Sequence, residues 1–500
     1  MTIFDVLKKN AIKYPYKDAI IIDDIKLNYK DLLNSVIKTI LIFEKNKITS
    51  ENTVVIIEDN TLSHILSLFS LSYLGTETIP LNTYYSKDVI QKIFNEQKID
   101  ILISNTKYAK FLSSKFELKK IITTNKSKNF PYFYDYNFLK IKKLKKKIVK
   151  LKKNFLILFS SGSTGNPKPI VFTQKIKILR SKLMSDLYKI SKEDKVVVTC
   201  PIDHSLGMRL LFLPLIAGAT CVVMSKFTNE NYFKIVKKNN VTFSILVSSQ
   251  IYKLLENKDQ FKDFYLKKGL VSASSKLSDR TKKAILKNKI KLYEMYGASE
   301  IGTVTNINIS KNSKKIKSVG NSFNKNIIIK ILSTKNKFLK NNEIGEIVCK
   351  TPAIFKEYLG LKEQTNNSFY KGFFKTGDIG YLDSEKYLYF LGRKKNIIRR
   401  SGITIYPEDI ENILINDKNI DEVAVVGVER NENEDICLFV KKNNKITLDY
   451  VKKMCIKKLS AFQIPSKIYL INDLPKTNLG KINKKLLLSF LWYFFINNIA

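Results

Sequence analysis

Ten consecutive residues, Phe159-Ser160-Ser161-Gly162-Ser163-Thr164-Gly165-Asn166-Pro167-Lys168, gather hydroxyls, glycines and one lysine into a single loop. Glycines let backbone N–H groups turn toward an anion, hydroxyls add donors, and the lysine adds a point charge, so the loop reads as a phosphate cradle. An ordinary polar turn has the same composition. A Walker-type loop fits poorly, because Pro167 separates Gly165 from Lys168 and that motif needs Gly-Lys-Ser/Thr opening a helix. Apolar residues 155–159 before the loop and 170–172 after it place it between two strands.

Further strings follow. Pro201-Ile202-Asp203-His204-Ser205-Leu206-Gly207 joins an acid, an imidazole and a glycine, although a lone histidine is more often structural. Val271-Ser272-Ala273-Ser274-Ser275 is a small-residue turn. Tyr293-Glu294-Met295-Tyr296-Gly297-Ala298-Ser299-Glu300 sets a hydroxyl beside a carboxylate, and Phe374-Lys375-Thr376-Gly377-Asp378-Ile379-Gly380 holds a single acid after a glycine. Near the end come Gly392-Arg393, Ser401-Gly402 and Leu474-Pro475-Lys476-Thr477-Asn478-Leu479-Gly480-Lys481-Ile482.

In this order the strings resemble the motifs of adenylate-forming enzymes, the superfamily of acyl-CoA synthetases, adenylation domains and luciferases. The likeness runs from about Ile20 to Ile482, which is nearly the whole chain. It implies that Ser160, Ser161, Gly162, Ser163, Thr164, Gly165, Lys168 and Ser299 hold the phosphates of ATP. Glu300 would bind Mg²⁺, a hard cation suited to a carboxylate plus phosphate oxygens. Ser272, Ala273, Ser274, Tyr296 and Gly297 would border adenine. Asp378 would accept from the ribose hydroxyls, with Arg393 as a second ribose contact. His204 would border the acyl carboxylate, and Lys481 would be the catalytic lysine that stabilises charge between carboxylate and α-phosphate. Lys395 falls at the family's hinge, and Gly402 in the loop along which the thiol approaches. The chain departs from the pattern at Ala273 and Ser274, where glycines are usual, at Asn396, where an aspartate is common, and at Thr404, where an arginine is frequent.

The implied reaction has two halves: an acid attacks Mg·ATP to give acyl-AMP and pyrophosphate, then a lid rotates and a thiol takes the acyl group. A fatty acid with CoA as acceptor is the first expectation, since Leu210-Leu211-Phe212-Leu213 after His204 reads as an apolar pocket. The alternative is an enzyme loading an amino or aryl acid onto an acyl carrier protein, for which Asp203 is the clue. A degenerate, non-catalytic relative is a third reading, and the intact Glu300, Asp378 and Lys481 argue against it.

Elements able to position these strings are legible. Residues 19–22, 54–57 and 77–80 read as strands, and 29–43 and 62–73 as helices, an alternation that predicts parallel α/β layers. Residues 196–199, 212–219 and 221–224 continue it. The fold class expected is a large, multi-layer N-terminal α/β region followed by a small, mobile α+β C-terminal domain. A lysine-studded stripe at 139–153 predicts a sub-lobe boundary, as a solvated connector or a docking helix. The large region is expected over 1–392 and the lid over 393–500, with strands at 403–406, 423–428 and 436–440 and helices at 407–415 and 448–459.

Composition bounds the rest. The chain has 500 residues and a formal charge of +42 from 87 Lys+Arg against 45 Asp+Glu. Such a field draws in anionic ATP and CoA, and no nucleic-acid motif accompanies it, so a nucleic acid is not expected as a partner. The five cysteines form no Cys-x-x-Cys pair, which supports neither a disulfide framework nor zinc. The start, Met1-Thr2-Ile3-Phe4-Asp5, lacks a secretory pattern, and a cytoplasmic location is expected. An apolar tail at 485–496, with Trp492 and Tyr493, is too short to span a bilayer. It predicts peripheral membrane contact or, alternatively, packing on its own domain or on another subunit.

Overall fold

The computed structural model describes residues 1–135, 144, 153–159, 168–262, 264–400, 403–430, 433–477 and 481–497. The first helix, Ile3–Lys13, begins at a capping box in which Thr2 and Asp5 satisfy each other's backbone N–H groups. The early acid of the sequence is thus a helix cap.

Among the described residues two large sheets form the body. One has the order Glu357–Tyr358, Pro169–Phe172, Leu156–Phe159, Glu77–Leu81, Thr53–Ile57, Ile101–Ser104, Lys120–Thr123. The other runs Asn321–Ser322, Gly302–Asn308, Leu292–Ala298, Gly269–Ala273, Phe243–Val247, Lys195–Val198, Thr220–Val223, Asp18–Ile22, Ile25–Asn28. Their central strands are parallel, and the unbroken apolar runs such as Val54-Val55-Ile56-Ile57 are buried on both faces. Between the sheets lies Leu62–Leu74, capped by Thr61 and buried along nearly its whole length. Its serines survive burial by bonding within the helix: Ser67 Oγ donates to the Ser63 carbonyl and Ser72 Oγ to that of Phe69, each at 2.7 Å.

The predicted strands and helices of the first hundred residues fall within a residue or two of Asp18–Ile22, Tyr29–Lys45, Thr53–Ile57, Leu62–Leu74 and Glu77–Leu81. The expected apolar pocket at 210–213 is overturned. Leu210, Leu211, Phe212 and Leu213 lie in the helix Ser205–Ala217 and are 0–1% exposed in the main core. A helix packed on both sides is apolar all round, so this run reports burial and not a ligand.

A third, antiparallel sheet carries Ile328–Leu332, Gly345–Lys350, Phe373–Leu382 and Leu388–Arg393. After it the chain passes through a short turn, Lys394–Asn396, into a compact unit. There Val423–Arg430, Asn433–Lys441 and Lys467–Ile471 form a sheet, with Pro407–Leu414 and Leu448–Lys458 sharing the hydrophobic cluster on one face. The other face is covered by the tail helix Lys484–Asn497: Leu487 and Leu491 pack against Ala424, Val426, Cys437 and Phe439, and Lys484 Nζ pairs with Glu411 at 2.7 Å. Of the two expectations for the tail, the contact observed is with its own domain; Leu486 and Phe490 stay exposed. No helix among the described residues is long and apolar enough to cross a membrane. Of the lysine-studded stretch at 139–153, only Leu144 and Lys153 are described.

Candidate active site

The site is assembled where Leu292–Ala298, Phe373–Leu382 and Leu388–Arg393 meet. Tyr296 is buried on the first strand, and its hydroxyl donates to Asp378 Oδ2 at 2.6 Å. Arg393 is the cross-strand partner of Asp378, and its Nε stands 2.8 Å from Asp378 Oδ1. The same guanidinium donates through Nη1 to the Thr376 carbonyl at 3.0 Å. Burial pushes the Asp378 carboxyl up while Arg393 and Tyr296 hold it down. Burial and the neighbouring Asp378 drive the Tyr296 phenol well above its ordinary value, so it remains a donor.

A strand irregularity between Tyr296 and Gly297 turns the chain toward Ser299 and Glu300. Gly297 is required there, because a Cβ would sit 2.0 Å from the Gly302 carbonyl oxygen. Glu300 Oε1 accepts the Tyr358 hydroxyl at 2.8 Å, and Lys168 Nζ lies 5.0 Å from the centre of the Tyr358 ring. One tyrosine thereby joins the last residue of the predicted phosphate loop to the predicted metal-binding carboxylate. A carboxylate beside the Ser299 hydroxyl suits Mg²⁺ completed by phosphate oxygens. The rest of the loop, Ser160, Ser161, Gly162, Ser163, Thr164 and Gly165, lies outside the described residues, as does Gly402.

Ser272 and Ala273 end the buried strand Gly269–Ala273. Ser274 follows with φ +82°, a left-handed conformation that favours glycine, the residue the family resemblance led one to expect there. The loop is fastened from below: Glu294 Oε1 accepts from the Leu277 backbone at 3.1 Å, while its Oε2 forms a wholly buried ion pair with Lys282.

His204 sits at the N-cap of Ser205–Ala217 with no side-chain capping bond. Its Nε2 is 3.8 Å from Asp203 Oδ2, and its ring centre is 6.4 Å from that of Tyr85. Asp203 itself is buried with no exposed side-chain surface, and burial pushes its carboxyl up. A carboxyl so placed is a poor holder for a substrate ammonium.

Lys481 comes from the far end of the chain. Its backbone carbonyl accepts from Thr477 N at 2.7 Å, and its ammonium feels both Arg393 and Asp378. Burial, reinforced by Arg393 and opposed by Asp378, brings it down to about 8. Lys395, in the turn Lys394–Asn396, is exposed between the two units.

Two residues at this site escaped the sequence reading. Tyr358 belongs to a two-residue strand with no motif of its own. Arg180 is buried on Gln174–Tyr188 and donates to three carbonyls: Ala353 at 2.8 Å, Ser299 at 2.8 Å and Glu300 at 2.6 Å. It stacks 4.7 Å from the Phe172 ring and fixes the turn that carries Glu300. A charged residue on the buried stripe of an otherwise core-facing helix was the available signal.

The fold is a mixed α/β arrangement of a large N-terminal and a smaller C-terminal domain. Residues 7–359 match the AMP-binding enzyme family and residues 409–481 its C-terminal domain, and the chain belongs to that adenylate-forming family. It is 22% identical over 493 residues to the 2-succinylbenzoate–CoA ligase of Bacillus cereus, covering 96% of each chain. It is 24% identical over 526 residues to the long-chain-fatty-acid–CoA ligase of Bacillus subtilis, covering 97% of this chain and 94% of that one. The structure of o-succinylbenzoate CoA synthetase from Bacillus subtilis, in complex with its acyl-adenylate intermediate, superposes with a TM-score of 0.86 at 20% identity over 97% and 98% of the two chains. These relatives are named CoA ligases, and the chain is an AMP-forming acid–thiol ligase of the same family.

Proposed function

We propose that one site performs both half-reactions, with residues 1–392 binding the substrates and residues 393–500 acting as the lid. The observation that carries this reading is the approach of Lys481 to Asp378 and Arg393, about a hundred residues earlier in the chain. In the first half-reaction the acid carboxylate, bordered by His204, attacks the α-phosphorus of ATP and pyrophosphate leaves. Asp378 and Arg393 hold the ribose, the turn at Ser272, Ala273 and Ser274 and the strand at Tyr296 and Gly297 border adenine, and Ser160 to Lys168 with Ser299 cradle the phosphates. Mg²⁺ held by Glu300 screens the charge of the phosphate oxygens when bound. Lys481 donates to the oxygens on which charge gathers, an electrostatic contribution that only the transition state realises fully.

In the second half-reaction rotation about Lys395 withdraws Lys481 and brings Gly402 to the adenylate, where the CoA thiolate attacks the acyl carbon and AMP leaves. CoA is the acceptor in the relatives named above, and none of them is described as loading a carrier protein. Since 210–213 is core, the class of acid rests on the side chains that face the cleft beyond His204. The test separates the halves: Lys481→Ala lowers ATP–pyrophosphate exchange by about 10² to 10³ and largely spares thiolysis of supplied acyl-AMP. Equal loss of both would refute the assignment.

A further inference from the structure

Helix Asp279–Lys287 of the large domain exchanges end contacts with helix Pro407–Leu414 of the C-terminal domain. Ser278 caps the first helix by accepting from Thr281 N. That bond leaves the amide of Arg280, at the second helical position, without an intrahelical acceptor. The acceptor comes from the other domain: Asn416 Oδ1 takes the Arg280 N–H at 3.3 Å. In return the Arg280 guanidinium donates through Nη1 to the Asp417 carbonyl at 2.7 Å and through Nη2 to the Lys418 carbonyl at 3.3 Å. Both carbonyls lie just past the end of Pro407–Leu414.

A charge pair and the turn assigned to adenine belong to the same face. Burial pushes the Asp409 carboxyl on Pro407–Leu414 up, and Lys276 draws it back. Lys276 follows Ser274 by two residues, and Arg280 follows four later. The run between them is pinned at its middle: Leu277 N donates to Glu294 Oε1 at 3.1 Å, and Ser278 N to the Tyr252 hydroxyl at 3.3 Å. The residue that grips the C-terminal domain and the turn at Ser272, Ala273 and Ser274 are thus parts of one fastened segment.

These contacts exist in the pose in which Lys481 feels Asp378 and Arg393. Asn416, Asp417 and Lys418 connect a helix and a strand of the C-terminal sheet unit, on which the segment leading to Lys481 also packs. A rotation that withdraws Lys481 therefore carries them away from Arg280 as well. We propose that Arg280 is a positioning residue for adenylation: it latches the C-terminal domain in the pose that delivers Lys481 and releases it for thiolysis. This inference rests on the two-pose reading above. Arg280 is exposed, so water competes for each of its bonds, and the latch biases the two poses without freezing either.

The test compares the full-length wild-type protein with Arg280→Met, Arg280→Lys and Asn416→Ala in both half-reactions. Decanoate, benzoate and phenylacetate serve as acids in ATP–pyrophosphate exchange, and the matching acyl-AMP is supplied for thiolysis. Arg280→Met should lower kcat for exchange by about fivefold to tenfold, with thiolysis at saturating CoA unchanged or faster. Asn416→Ala, which loses one bond of the three, should shift exchange the same way by about twofold to threefold, and Arg280→Lys should regain part of the loss. Trypsin gives a readout independent of the acid, because residues 393–400 include Arg393, Lys394, Lys395, Arg399 and Arg400. With Mg·ATP present, Arg280→Met should be cut there sooner than wild type. Equal loss of both half-reactions in Arg280→Met overturns the inference, as does wild-type exchange or an unchanged rate of cleavage. Should Arg280→Met fail to fold, the split between half-reactions in Asn416→Ala decides it. Failure of these variants to separate the halves removes this inference alone, whereas equal loss of both in Lys481→Ala removes the two-pose reading and this one with it.

Discussion

Lys481 offers a sharp test because its ammonium is brought down to about 8 by burial beside Arg393, into a range where pH can titrate it. Only the protonated form can donate to the oxygens that gain charge during adenylation. With a value near 8, about 0.91 of the lysine is protonated at pH 7 and about 0.09 at pH 9, so kcat/KM for pyrophosphate exchange should fall about tenfold across that interval. The sign is fixed by the direction of titration: activity is held below pH 8 and lost above it. Thiolysis of supplied acyl-AMP should move the opposite way, since a higher pH yields more thiolate. Lys481→Arg should retain some exchange and lose the alkaline fall, as a guanidinium stays charged throughout. Lys481→Ala should lower exchange at every pH by about 10² to 10³, the usual effect of removing one preorganised donor. The measurement is a stopped-time exchange assay from pH 6 to 10 on the three proteins. An alkaline fall that survives unchanged in Lys481→Arg would refute the reasoning, because some other group would then be titrating.

Three further outcomes follow from the packing. Arg180→Met leaves the carbonyls of Ala353, Ser299 and Glu300 without their donor; KM for Mg·ATP in the exchange assay should rise at least about tenfold, with a drop in thermal midpoint. Lys282→Met strands the buried Glu294 carboxylate and should cost about 3–5 kcal/mol in denaturant unfolding, whereas Lys282→Met combined with Glu294→Leu should recover much of it. Leu487→Ala opens a cavity between the tail helix and the C-terminal sheet and should cost about 2–5 kcal/mol. Limited proteolysis should then reveal earlier cleavage beyond Asn483, and an unchanged digestion pattern would contradict the tail's packing.

Much was written locally in the chain. Alternation of apolar runs with amphipathic stretches placed the strands and helices of the first hundred residues, because periods of 2 and 3.6 are properties of consecutive residues. The strings around Glu300, Asp378 and Lys481 were legible because hydroxyl, carboxylate and lysine chemistry was concentrated in short segments. The same local view misread 210–213, where an apolar run signals burial without saying whether the neighbour is a ligand or another helix. Tyr358 was invisible because it acts on Glu300 from another element and a lone tyrosine carries no pattern, whereas Arg180 left only its place on the buried stripe of its helix as a mark.

Sequence alone therefore determined which residues could do the chemistry and roughly which element holds each. The order of strands in the sheets decided the rest. It set Arg393 opposite Asp378, seated Tyr358 beside Lys168, and carried Lys481 back to a strand laid down a hundred residues earlier. Such partnerships depend on long-range pairing, whose energies are shared among many buried contacts and leave no mark at any single position.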